Sequence, residues 1–136
     1  MLYGTCRAVF AGRLSRYYLG GLSVNDRELL ELAAKAAGYN VVWNEQWQAF
    51  EHRVPKLDNN GRARHAWVPN DDDGDALRLA IDAFVSIEFH YCKDDAPIVT
   101  AGDFFNKAQE SLAPDFKAKT RRAIVRAAAE IGKAMQ

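Results

Sequence analysis

The sequence predicts an α+β fold: a small antiparallel sheet packed by three helices, in the order helix, two or three strands, helix, two strands, helix. Three observations carry this expectation. Three segments repeat their apolar residues at the three-and-four spacing of an amphipathic helix. Between them lie short runs of β-branched and aromatic residues, one with a clean alternation. Clusters of Asn, Asp, Gly and Pro separate the runs, as turns require. Helices on an antiparallel sheet satisfy all three.

Residues 1–23 stand apart. They contain no acid, hold the pairs Tyr17-Tyr18 and Gly20-Gly21, and show no period. They read either as an edge strand over 2–10 followed by a loop, or, the preferred reading, as an extension upstream of the working domain. A single α+β domain is expected over 24–136. Its first helix spans 26–37. Asn25 is a good N-cap, and Glu28 three residues later completes a capping box. Leu29, Leu32, Ala33 and Ala36 share one face, and Gly38 supplies the left-handed stop.

Val41, Val42 and Trp43 favour a strand. A second is expected over 47–54, ended by Pro55. The turn Asp58-Asn59-Asn60-Gly61 leads to a third over 62–68, with Ala63, His65 and Trp67 on one face. The loop 69–75 opens a second helix with Leu77, Ala80, Ile81 and Phe84 as its apolar face and an Arg78–Asp82 pair one turn apart. Then Val85, Ile87, Phe89 and Tyr91 alternate with Ser86, Glu88, His90 and Cys92, the clearest strand in the chain. Residues 93–97 form a hairpin turn, and 98–100 return as its partner. Residues 104–112 read as a short helix or a loop. The final helix starts at Pro114 and Asp115. Phe116, Thr120, Ala123, Ile124, Ala127, Ile131 and Ala134 make one stripe, and Lys119, Arg122, Arg126 and Lys133 the opposite one.

A chain of 136 residues, 49% hydrophobic and 26% charged, can bury roughly two-thirds of its unfolded surface without staples. The net charge is zero but segregated. Residues 1–24 carry Arg7, Arg13 and Arg16 unopposed, residues 70–103 are strongly acidic, and residues 115–136 are basic. A wholly basic nucleic-acid-binding composition is excluded, leaving only local basic surfaces. Cys6 and Cys92 form no CxxC pair, so two reduced thiols in a cytoplasmic protein are expected. No apolar run approaches the ~18 residues of a membrane span, and the N-terminus lacks the apolar core of a secretory signal.

Five features offer chemistry. Asp71, Asp73 and Asp75 alternate as carboxylates do in a calcium loop. Counted from Asp71, however, the sixth position is Ala76 and the twelfth Asp82, so the pattern fails. Capping of the following helix is the better reading. His52, His65 and His90 have neither HxH nor HxxxH spacing. Nucleophile and phosphate-loop motifs are absent, and Cys92 is expected to be inert. Trp43, Trp47 and Trp67, interleaved with Arg53, Arg62 and Arg64, suit either base stacking or the core, and core is preferred for at least two of them. The basic stripe of the last helix suits either phosphate contact or a solvated face. No catalytic residue, cofactor or metal ligand is predicted.

Two stretches resemble a family. WVPNDDDGDALRLA over 67–80 is similar to a segment of small phage and prophage proteins in which tryptophan-asparagine-proline precedes DDGDALRLA; here the order is Trp-Val-Pro-Asn. TRRAIVRAAAEIG over 120–132 resembles their closing helix, and 25–38 their opening one. The element order resembles the NinX-like phage domain. The resemblance implies a phage accessory protein of unassigned function in the host cytoplasm, and transfers no catalytic residue.

The expected function is therefore non-enzymatic binding of a host protein or a small anionic ligand. Arg121, Arg122 and Arg126 are the candidate anion contacts, and Trp43 and Trp67 the candidate stacking groups. Nucleic-acid binding through the final helix, and a metal-dependent hydrolase built on the 71–75 loop, are the alternatives. No membrane partner is expected.

Overall fold

The computed structural model describes residues 26–52 and 65–135. The readings of residues 1–23, the Asn25 cap, the 53–55 end of the second strand, the 58–61 turn and residues 62–64 of the third strand lie outside the described residues. Three helices, α1 (Asp26–Ala37), α2 (Asp73–Asp82) and α3 (Phe116–Ala134), accompany two three-stranded antiparallel sheets. The first sheet holds β1 (Val41–Asn44), β2 (Ala49–His52) and β3 (Ala66–Trp67); the second holds β4 (Ser86–His90), β5 (Ile98–Gly102) and β6 (Lys107–Ser111), each in sequence order. The predicted α+β class and element order are observed, with one further strand.

Each helix ends as its residues require. Gly38 takes a φ of 73° after α1, and Tyr39 N–H donates to the Ala34 carbonyl at 2.8 Å, a left-handed C-terminal cap. Phe84 adopts the same role after α2 with a φ of 56°, and Val85 N–H reaches the Ala80 carbonyl at 2.8 Å. Asp72 caps α2 by accepting from Asp75 N–H, and Asp115 caps α3 by accepting from Ala118 N–H.

In the first sheet the register places Trp43, Phe50 and Trp67 side by side across three strands. Their rings meet edge to face, 5.0 Å apart for Trp43–Phe50 and 6.4 Å for Phe50–Trp67. Edge-to-face geometry adds about 0.5–1.5 kcal/mol per pair beyond burial. In the second sheet, Ile87, Ala101 and Ala108 align, as do Phe89, Val99 and Glu110. Val99, Ala101 and Ala108 are fully buried in the core with Ala123, Ile124 and Ala127 of α3. Small residues at these positions let the helix lie close to the sheet.

Three expectations are corrected. The buried face of α2 is Asp75, Ala76, Leu79 and Ala80, continued by Ala83, while Leu77, Ile81 and Phe84 are 56%, 62% and 86% exposed. Two apolar stripes competed, and the one with small residues and a buried carboxylate was chosen. Asp75 explains why: its carboxylate accepts from Val68 N–H and from Arg78, both at 2.9 Å, and so ties the preceding loop to the helix. Arg78 consequently pairs with Asp75 and not with Asp82, which accepts from the Tyr39 hydroxyl. Residues 107–111 are a strand, not the helix or loop expected over 104–112. The KAQES sequence lacks apolar alternation because one inward position is an ion-paired glutamate.

Candidate ligand cleft

A concavity of about 690 Å³ lies between α1, the first sheet and the N-terminal half of α3. Leu30, Phe50 and Trp67 are among its apolar lining, and Trp43 lines it beside them. The charged lining comprises Arg27, Lys119 and Arg122 against Asp26, Glu45 and Asp71. Amphipathic α3 positions Lys119 and Arg122 on one side, since they stand three residues apart and therefore project from the same helical face.

The five predicted contact residues separate into two groups. Trp43, Trp67 and Arg122 come together in the cleft. Trp67 is only 1% exposed and packs at steep ring angles against Tyr39 and Phe50, so it offers the cleft no open stacking face. Trp43 is half-buried, with the Arg27 guanidinium 4.8 Å from its ring centre, a cation–π arrangement. Trp47 is exposed at the surface. Arg122 reaches Glu110 at 3.6 Å and Asp26 at 3.9 Å. These long, partly exposed contacts hold it near the cleft without closing its donors off.

Arg121 and Arg126 are used elsewhere. Arg121 Nη1 pairs with Asp73 at 2.6 Å, and its Nε donates to the Asn70 carbonyl at 2.9 Å, which fixes the aspartate loop against α3. The Arg126 guanidinium is paired with Glu110, whose side chain is buried. The basic stripe read from the sequence is therefore partly an internal ion-pair system. Lys119, with no ion pair among the described residues, was named only as part of that stripe. Arg27 falls between Asn25 and Glu28 of the capping box. Neither carries a sequence signal for the cleft, because the strand that faces Arg27 is 16 residues distant and sheet packing alone brings Trp43 there.

Three of the four aspartates of the 71–75 loop are likewise committed, and the fourth, Asp71, lines the cleft. Asp72 caps α2, Asp73 holds Arg121 and Asp75 holds Val68 and Arg78. Among the described residues no three His, Cys, Asp or Glu side chains gather in a metal-binding group. Cys92 is buried; the expectation of two reduced thiols also involves Cys6, which lies outside the described residues.

His52 stands behind the cleft floor, between Tyr39 at 5.2 Å and Trp67 at 6.1 Å. Burial, helped by Arg78 and His65, pushes its imidazole below the ordinary value of 6.5. Burial and the hydrogen bond to Asp82 push the Tyr39 hydroxyl up. The folded state thus prefers neutral His52, and the unfolded chain binds the proton more readily. Stability present above pH 6.5 should be lost as the pH falls through that value toward the depressed one. Urea titrations between pH 7.5 and about 5 should show this loss, and His52→Gln should flatten it.

No protein-family model, curated protein or solved structure matches the chain. Among the described residues no helix is long and apolar enough to cross a membrane.

Proposed function

We propose that the chain is a non-enzymatic phage or prophage accessory protein, acting in the host cytoplasm, that binds a small anionic ligand bearing a flat ring. The single observation behind this reading is that Trp43, Lys119 and Arg122 line one cleft together with apolar Leu30 and Phe50. An aromatic wall accepts a planar group, and two cations one helical turn apart accept a phosphate or carboxylate. The three acids on the rim offset the positive charge and so select a compact anion over a polyanion. Nucleic acid draws less support, since Arg121 and Arg126 are held in internal ion pairs. The hydrolase reading draws less support, since among the described residues no three His, Cys, Asp or Glu side chains gather as a metal-binding group.

The test is thermal denaturation of the full chain with mononucleotides and cyclic dinucleotides as probes. A ligand at a hundred times its dissociation constant stabilises by about 2.7 kcal/mol. Arg122→Glu should weaken that response at least about tenfold, the cost of losing one charge-assisted contact. Lys133→Glu, on the same helix but outside the cleft, should leave it intact. Absence of any shift across the probes would remove the small-ligand reading.

A further inference from the structure

The strand order β4-β5-β6 leaves one side of β4 without a strand neighbour among the described residues. Its five residues pair one for one with β5, so no bulge blunts the edge, and it contains neither lysine nor proline. Such an edge is a template for another strand. The strand is also apolar on the face toward α3. Phe89 is 63% exposed there, and with Ile87 it borders a groove of about 430 Å³ completed by Leu77, Phe116 and Ile124. Ile81 extends the same exposed stripe of α2 by one turn. A contiguous apolar face of this kind marks an interaction site.

The residue pattern identifies the occupant. When two copies of β4 are set antiparallel with Phe89 opposite Phe89, Glu88 falls opposite His90 twice over. The neighbouring registers oppose Glu88 to Glu88 or His90 to His90. Cross-strand pairs of opposite type stabilise and like charges destabilise, so the strand is complementary to itself in one register. A two-fold axis through Phe89 also brings both Leu77–Ile81 stripes onto the same side of the joined sheet, where each can cover the other's groove. Self-complementary patches are the signature of isologous dimers.

We propose that the chain forms a two-fold dimer by antiparallel pairing of β4 with β4 of a second copy about Phe89, joining two three-stranded sheets into one of six strands. This goes beyond the ligand cleft, which lies on the other side of α3's N-terminal half and stands or falls separately.

Sedimentation equilibrium of the full chain at tens of micromolar should give twice the 15.2 kDa monomer mass. Phe89→Lys places two ammonium groups on the axis and should raise the dimer dissociation constant by about a hundredfold or more, with circular dichroism and cooperative unfolding unchanged. Glu88→Lys should weaken the dimer roughly tenfold through two lost pairs, and adding His90→Glu should restore it. A monomeric wild-type chain overturns the proposal, whatever other segment or partner covers the face. So does a dimer that Phe89→Lys leaves intact. Should Phe89→Lys disturb the fold, the Glu88→Lys and His90→Glu pair decides: no weakening, or no restoration, overturns it.

Discussion

Arg126→Leu is expected to lower the unfolding free energy by about 3–5 kcal/mol, read from urea midpoints at constant slope. Glu110 lies on the α3-facing side of β6, opposite fully buried Val99, and is itself 5% exposed. Its carboxylate is reached by Arg126 and, at 3.6 Å, by Arg122. Removing Arg126 leaves a carboxylate among apolar groups with only the half-exposed Arg122, at 3.6 Å, opposing its charge among the described residues. The penalty is desolvation of that charge, not the modest value of a surface pair. Glu110→Leu combined with Arg126→Leu should therefore recover most of the loss, because a buried pair replaced by apolar residues of similar volume is close to neutral. The double variant also removes one of the two carboxylates that hold Arg122 near the cleft, so its ligand response should weaken even where its stability returns. A single variant as stable as the wild type would show that the pair is solvated and that β6 sits less tightly under α3.

The contrast between Arg122 and Arg126 shows where sequence reading ends. Both fall on the stripe opposite the apolar one, and both read as solvent-facing cations. What separates them is Glu110, and its place was hidden because residues 104–112 carry no strand period. A buried charge breaks the alternation that would have revealed the strand. The same limit governed α2. Leu77, Ile81 and Phe84 form a better hydrophobic stripe than Ala76, Ala80 and Ala83, yet the alanine side is buried. Side-chain size decided against transfer free energy, because Asp75 had to reach Val68 and the small residues allowed close approach. By contrast, the extents of α1, the β4–β5 hairpin and α3 were legible: Gly38 ends α1, Asp115 caps α3 and the turn residues of 93–97 separate the two strands. The cleft was half legible. Aromatic and basic residues were visible as types, but whether Trp43 faces Lys119 depends on the crossing of a sheet and a helix some 76 positions apart, which local pattern does not encode.

Gly132→Ala is expected to destabilise the protein by about 2–3 kcal/mol, although the same exchange in an exposed helix interior stabilises by roughly 0.5–1 kcal/mol. The sign is set by one contact. A Cβ at Gly132 would lie 1.9 Å from the Leu32 carbonyl oxygen and 2.8 Å from its carbon. Both are backbone atoms of α1, so no side chain can rotate away. Relief requires the two helices to separate, and that separation would loosen Ala33, Ala34, Ala128 and Ala129, which are nearly inaccessible to solvent. Cavities would then open along the seam, each adding its own cost. Because α1 and α3 also form two walls of the cleft, the displacement should widen the spacing between Arg27 and Arg122 and weaken binding of the nucleotide probes alongside the loss of stability. Gly132→Ser should behave like Gly132→Ala, since the conflict arises at Cβ. Were Gly132→Ala to raise the melting temperature, α1 and α3 would have to be packed farther apart than this backbone contact allows, and the cleft built between them would have a different shape.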